Sequence, residues 1–177
     1  MDGKAWMANM MTHLASVVRE PAGDVQTASY LAVLAAVPPI YDQLFPAAVS
    51  GIMKGDITGG VATVREAMAA IPNGEGATLL GIVKHQISTL GPAACAAAKA
   101  NATKSLLWLN RAATFISQLL RALAMGMDSD KAAYMAYSNV LKPYHGWMTE
   151  KIVGNAVSYG PAVSLAATRT PSLRCRC

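Results

Sequence analysis

Apolar residues recur along the chain at three- and four-residue intervals almost throughout, and strand-like alternation with β-branched runs is missing, so the pattern predicts helices alone. A first helix is expected near 7–18, closed by Pro21 and Gly23, and a second over 27–37, stopped by Pro38-Pro39. A longer one runs from about 41 to 70. Pro46 interrupts its start, and the Asn73-Gly74-Glu75-Gly76 turn follows its end. Residues 77–90 form the next helix, ended by Gly91-Pro92. The longest pattern spans 93–125, with Gly126 as its stop. Ser129 or Asp130 caps the last long segment, which Pro143 should kink near its middle and Gly160-Pro161 close. No internal repeat and no long linker divides the chain. The expectation is an all-α fold.

Composition sharpens this picture. The chain has 177 residues, 53% hydrophobic and only 14% charged, which is enough for one domain with a substantial core and excludes a disordered chain. Its longest apolar stretches, 31–39 and 93–98, are far short of the ~20 residues of a spanning helix. The first residues lack the uninterrupted apolar run of a secretion signal. Three cysteines, Cys95, Cys175 and Cys177, form no disulfide framework, so a reducing cytoplasm is the default location. A net charge of +5 favours anionic surfaces in a general way. So many apolar residues with only two Phe also suggest that part of the apolar surface lines a cavity for an apolar ligand.

Three residues sit against this pattern. Asp56 falls on the stripe Val49, Ile52, Met53, Gly60, Val64, with nothing basic at i+4. His145 falls on the stripe Leu141, Met148, Ile152. Trp108 lies four residues after Lys104 and one turn before Arg111, away from the apolar face Leu106, Leu109, Ala113, Ile116, Leu120, Leu123. Taken singly, each has an ordinary reading as a local hydrogen-bonder, a boundary histidine, or a ring covering aliphatic stems. No nucleophile–base set, Gly-rich phosphate loop or metal spacing accompanies them, and His13, His85 and His145 have no ligand spacing. Neither catalysis nor a cofactor is expected. Taken together, an Asp carboxylate and a His imidazole at the mouth of an apolar cavity can grip one amide from both ends. A Trp face can stack a sugar, and nearby basic groups can reach hydroxyl or phosphate oxygens. Such a site suits an amide-linked lipid with a polar head.

At these residues the sequence resembles the glycolipid transfer protein family. The segments that carry the resemblance occur in order: Leu34-Ala35-Ala36-Val37-Pro38-Pro39-Ile40-Tyr41-Asp42, Lys54-Gly55-Asp56-Ile57-Thr58-Gly59-Gly60, Ala102-Thr103-Lys104-Ser105-Leu106-Leu107-Trp108-Leu109-Asn110-Arg111, and Leu141-Lys142-Pro143-Tyr144-His145-Gly146-Trp147, with Pro161 beyond. The resemblance implies two layers of α-helices enclosing an apolar lipid pocket. It also implies non-enzymatic transfer of sphingolipids between membranes by a cytoplasmic monomer that touches membranes transiently and needs neither metal nor nucleic acid. By motif position, Asp56 would bind the ceramide amide N–H and the first sugar, His145 the amide carbonyl, and Trp108 would stack the sugar. Trp147 would dock at the bilayer, where amphipathic rings belong.

The departures from the family pattern concern the headgroup and the C-terminus. Glycolipid-specific members carry Asn and Lys at the positions of Gly60 and Thr63, the secondary headgroup positions. Phosphate-binding relatives carry Lys at Gly60 and Arg at Lys104 and Trp108. This chain keeps Trp108 but has a base at 104, so a glycosylceramide is favoured and ceramide 1-phosphate stays open, as does a sensor that binds sphingolipid without transferring it. Family members usually continue into a closing C-terminal helix, and here the Pro-broken Thr170-Pro171-Ser172-Leu173-Arg174-Cys175-Arg176-Cys177 is too short for one. That Cys-x-Cys end also resembles a prenylated tail, although such modification depends on recognition beyond the last residues. The expected organisation is an N-terminal helical extension over 1–26, the transfer domain over 27–168 and an irregular basic tail over 169–177.

Overall fold

The structure is a computed structural model, described here over residues 3–21, 23–98 and 101–146. Among the described residues eight α-helices follow in order: α1 (Gly3–Ala15), α2 (Thr27–Ala35), α3 (Tyr41–Leu44), α4 (Ala47–Ala70), α5 (Leu79–Leu90), α6 (Pro92–Ala97), α7 (Ala102–Ala124) and α8 (Ser129–Val140). Single-turn 3-10 segments at Pro38–Ile40 and Lys142–Tyr144, and a kinked 3-10 stretch at Pro72–Ala77, make the sharp corners. Among the described residues the only extended pairings are the isolated bridges Arg19–Val25 and Gln26–Thr78. The expected two-layer all-α fold stands. Trp147, Pro161, the 169–177 tail and the question of a closing helix lie outside the described residues.

Several boundaries differ from the periodicity reading, each for a local reason. The 41–70 pattern splits because Phe45 is extended before Pro46, whose backbone cannot donate into a continuing helix. The 93–125 pattern also splits. Asn101 is extended, and its side chain accepts from the Lys104 backbone N–H at 2.7 Å while its amide donates to the Cys95 carbonyl at 2.7 Å. One asparagine thus caps α7 and secures the end of α6. The last helix among the described residues starts at Ser129 with Asp128 as the flanking residue. It stops at Val140, so Pro143 sits in a separate 3-10 turn and does not kink a helix. After α4, Asn73 and Gly74 both take positive φ, which the Asn-Gly pair tolerates.

The helix pair α4 and α7 forms the centre, with α8 packed on α7, α2 on α4, and α1 against α2. On α4 the buried side is Val49, Ser50, Ile57, Val61 and Val64, rotated from the expected stripe, so that Ile52 stands half exposed. Ser50 can be buried because its hydroxyl donates to Asp42, which also pairs with Lys54 at 2.6 Å. On α7 the buried residues include Leu106, Leu109, Phe115, Ile116, Leu119 and Ala122. The expected Ala113, Leu120 and Leu123 are partly buried beside them. Trp6 of α1 is 2% exposed and donates its indole N–H to the Ala36 carbonyl at 2.8 Å, tying the first helix to the end of α2.

Candidate functional site

The facing sides of α4 and α7, closed by the start of α3 and the turn after α8, leave a cleft of about 600 Å³. Its walls hold six of the seven residues the sequence singled out: Asp56, Gly60 and Thr63 from α4, Lys104 and Trp108 from α7, and His145 after α8. The seventh, Trp147, lies outside the described residues. Helical spacing explains the α4 and α7 sets, since i, i+4 and i+7 share a face. His145 arrives differently. It is not on a helical stripe but in extended backbone (φ −88°, ψ 134°), carried into the cleft by the Lys142–Tyr144 turn.

His145 is the most constrained of these groups. Its Nδ1 lies 3.2 Å from the buried Tyr137 hydroxyl, and its ring stacks on Trp108 at 5.8 Å between centroids and 26° between planes. The Tyr137 ring lies 5.5 Å away. Desolvation lowers the His145 pKa below its ordinary value, Asp56 opposes this, and Arg111 reinforces it. The imidazole is therefore neutral at pH 7 and offers one N–H. Asp56 stands at the open side of the cleft. Desolvation by the surrounding walls raises its pKa above 3.8, and His145 opposes the shift. Each group therefore feels the other across the cleft.

The remaining expected residues are partly committed elsewhere. The Lys104 ammonium donates to the Ala98 carbonyl, toward the loop between α6 and α7. Thr63 donates its hydroxyl to the Gly59 carbonyl one turn back, at 3.0 Å, leaving only its lone pairs for a ligand. A side chain at Gly60 would begin 3.1 Å from Leu109 Cγ and Cδ2, so glycine there lets α4 and α7 approach closely. Trp108 is 39% exposed. The Arg111 guanidinium lies 4.7 Å from the Trp108 ring centre and 3.5 Å from that of Tyr144, so the charge is held by two aromatic rings.

Tyr41, Tyr137 and Tyr144 are the residues that sequence reasoning missed at this site. Tyr144 was visible as the neighbour of His145. Tyr137 lies eight positions before His145 and meets it only because the chain turns after Val140. Among the described residues no three His, Cys, Asp or Glu gather as a metal group, and no helix is long and apolar enough to cross a membrane.

Comparison with known proteins places this architecture. The Glycolipid transfer protein (GLTP) family profile matches residues 25–165. Glycolipid transfer protein B of Xenopus laevis is 32% identical over 144 residues, 77% of this chain and 66% of that protein. A solved structure concerned with how FAPP2 selects simple glycosphingolipids using the GLTP-fold superposes with a TM-score of 0.71 at 26% identity, over 81% of this chain and 65% of that one. The apo-form of mouse ceramide-1-phosphate transfer protein superposes with a TM-score of 0.71 at 17% identity, over 89% of this chain and 76% of that one, a likeness of fold. The chain spans between 28% and 66% of the length of curated relatives it matches. With the family profile spanning residues 25–165 and its helices superposing on the fold of these relatives, the chain belongs to the glycolipid transfer protein family.

Proposed function

We propose that this chain is a non-enzymatic carrier that binds sphingolipids and moves them between membranes, with glycosylceramides as the favoured cargo. The observation that carries the reading is the placement of Asp56 and His145 on one cleft, with Trp108 stacked beside His145. An ionised Asp56 accepts the amide N–H of the ligand. The Tyr137 hydroxyl lies 3.2 Å from His145 Nδ1; in the proposed arrangement it donates there, and the imidazole proton on Nε2 donates to the amide carbonyl. The exposed part of the indole receives the first sugar through its C–H groups, and the apolar walls from Ile52, Met53, Leu109 and Phe115 receive the start of the chains. The known relatives support this cargo class. Transfer protein B of Xenopus laevis is named for glycolipid, and the FAPP2 structure concerns simple glycosphingolipids.

The second reading, ceramide 1-phosphate as cargo, rests on Lys104 at the cleft wall. The Ala98 carbonyl already holds that ammonium, and the Arg111 charge is held between two rings, which favours the sugar.

The test is fluorescence-monitored transfer between neutral vesicles of labelled glucosylceramide, galactosylceramide, ceramide 1-phosphate and phosphatidylcholine. Selective movement of the glycosylceramides, lost in Asp56→Asn and His145→Leu, is the expected result. Selective movement of ceramide 1-phosphate, lost in Lys104→Ala, would replace the favoured cargo by the second. Tight binding with negligible transfer would make the chain a sensor instead of a carrier.

A further inference from the structure

Tyr41 is 1% exposed, yet it forms part of the cleft wall beside Asp56, Met53 and Ile57. Its ring packs edgewise on Phe45 at 5.9 Å and 56°, which fixes its direction. Its hydroxyl makes no hydrogen bond among the described residues. Among those residues Ser138 Oγ is the one fully enclosed side-chain polar atom without a partner, so the Tyr41 hydroxyl retains access to solvent. Tyr41 itself lines the cleft, so the cleft is the space from which a partner for this hydroxyl can come. A hydroxyl buried without a partner is unfavourable unless water or a ligand satisfies it, and phenylalanine would pack the same space without that penalty. Burial, reinforced by the Asp56 charge, pushes the Tyr41 pKa well above its ordinary value, so the group stays a neutral hydroxyl that can donate and accept.

We propose that Tyr41 is a specificity-determining residue whose hydroxyl hydrogen-bonds a ligand hydroxyl carried on a carbon close to the amide that Asp56 and His145 hold. This inference rests on the carrier function proposed above. Two positions in such a lipid meet the chemistry: a hydroxyl at C2 of the acyl chain and the C3 hydroxyl of the sphingoid base. Both lie within a few bonds of the amide, as Tyr41 lies beside Asp56 on the cleft wall. A site that hydrogen-bonds a hydroxyl discriminates against the analogue lacking it, because the buried partner is then left unsatisfied.

The experiment compares the wild type with Tyr41→Phe for equilibrium binding of three lipids: glucosylceramide with a plain acyl chain, its 2-hydroxyacyl counterpart, and its 3-deoxysphingoid counterpart. In the wild type one hydroxyl-bearing member should bind about 2–10-fold tighter than its match without that hydroxyl, the range expected of one net hydrogen bond. Tyr41→Phe should bring that ratio close to one while retaining binding of the lipid lacking the hydroxyl. A change in the 2-hydroxyacyl ratio places the contact on the acyl side, and a change in the 3-deoxy ratio places it on the sphingoid side. Ratios unchanged by Tyr41→Phe, with the lipids still bound, overturn this proposal alone. A wild type that binds none of the three overturns the carrier reading and this one with it. The variant should melt at nearly the wild-type temperature, because its lost hydroxyl had no protein partner, and a large drop would show that the hydroxyl serves the fold instead.

Discussion

An aspartate facing a neutral histidine across a cleft is poor for stability and useful for binding. The walls raise the Asp56 pKa, so the folded protein holds that proton more readily than the unfolded chain does. Stability from this group is fully present below pH 3.8 and is lost as pH rises through the elevated folded value. Asp56→Asn should therefore melt slightly higher than wild type at pH 7 and no higher at pH 3.5, by thermal scans at both. The gain is a fraction of a kcal/mol, because the carboxylate is open to water on one side. The same variant should bind the proposed ligand about 10–100-fold more weakly at pH 7, as loss of a charge-assisted hydrogen bond implies. Wild-type binding should also weaken on acidification at a pH above 3.8, read by ligand titration across pH. Tyr137→Phe removes the proposed donor to His145 Nδ1 and frees both neutral tautomers. We expect a several-fold loss of affinity, while His145→Leu loses the carbonyl contact altogether.

Among the elements, α4 and α7 determine what the cleft can hold. Gly60 lets the two helices approach, and a longer residue there would reach toward the headgroup only after pushing Leu109 aside. Gly60→Asn should lower stability by roughly 1–2 kcal/mol, in the range of mild overpacking, while raising selectivity for glycosylceramide through an added amide contact. Parallel denaturation and lipid competition would read both effects. The all-helical fold and the two cleft-bearing helices were legible in the sequence because 3.6-residue periodicity survives over 20 residues or more. The break at Asn101 was not, since an apolar run continues on both sides and only the cap's contact with Cys95 ends it. The position of His145 was legible as a motif residue but not as extended backbone, because the turn after Val140 depends on where α8 lies against α7. Arg111 was visible beside Trp108. Its capture by Tyr144 depends on that same turn and could not be read from spacing.

For the whole molecule, the proposed role requires a frame that holds while its ligand exchanges. The α1 helix lies before the family-matched residues 25–165, yet it contributes Trp6 and Met10 to the common core. The reading of 1–26 as an extension therefore becomes a proposal with an energetic content: the helix is built into the domain. Trp6→Ala should destabilise the protein by about 3–5 kcal/mol, measured by urea denaturation, as loss of a buried tryptophan does. A chain beginning at residue 27 should be weakened at least as much. The net charge of +5 should strengthen docking on anionic vesicles at low salt. Sedimentation of the protein with such vesicles should fall several-fold between about 0.05 and 0.5 M salt, as the screening length shrinks from above 10 Å toward a few ångströms.

The stacking of Trp108 on His145 also makes the protein its own optical reporter. Indole emission responds to the polarity around the exposed part of the ring. A sugar arriving on that ring would displace water from its exposed part while the histidine stays stacked against it. Emission from Trp108 should therefore brighten or shift as the cleft fills, and the part of the change that Trp108→Phe removes would count occupied sites directly, without any label on the lipid.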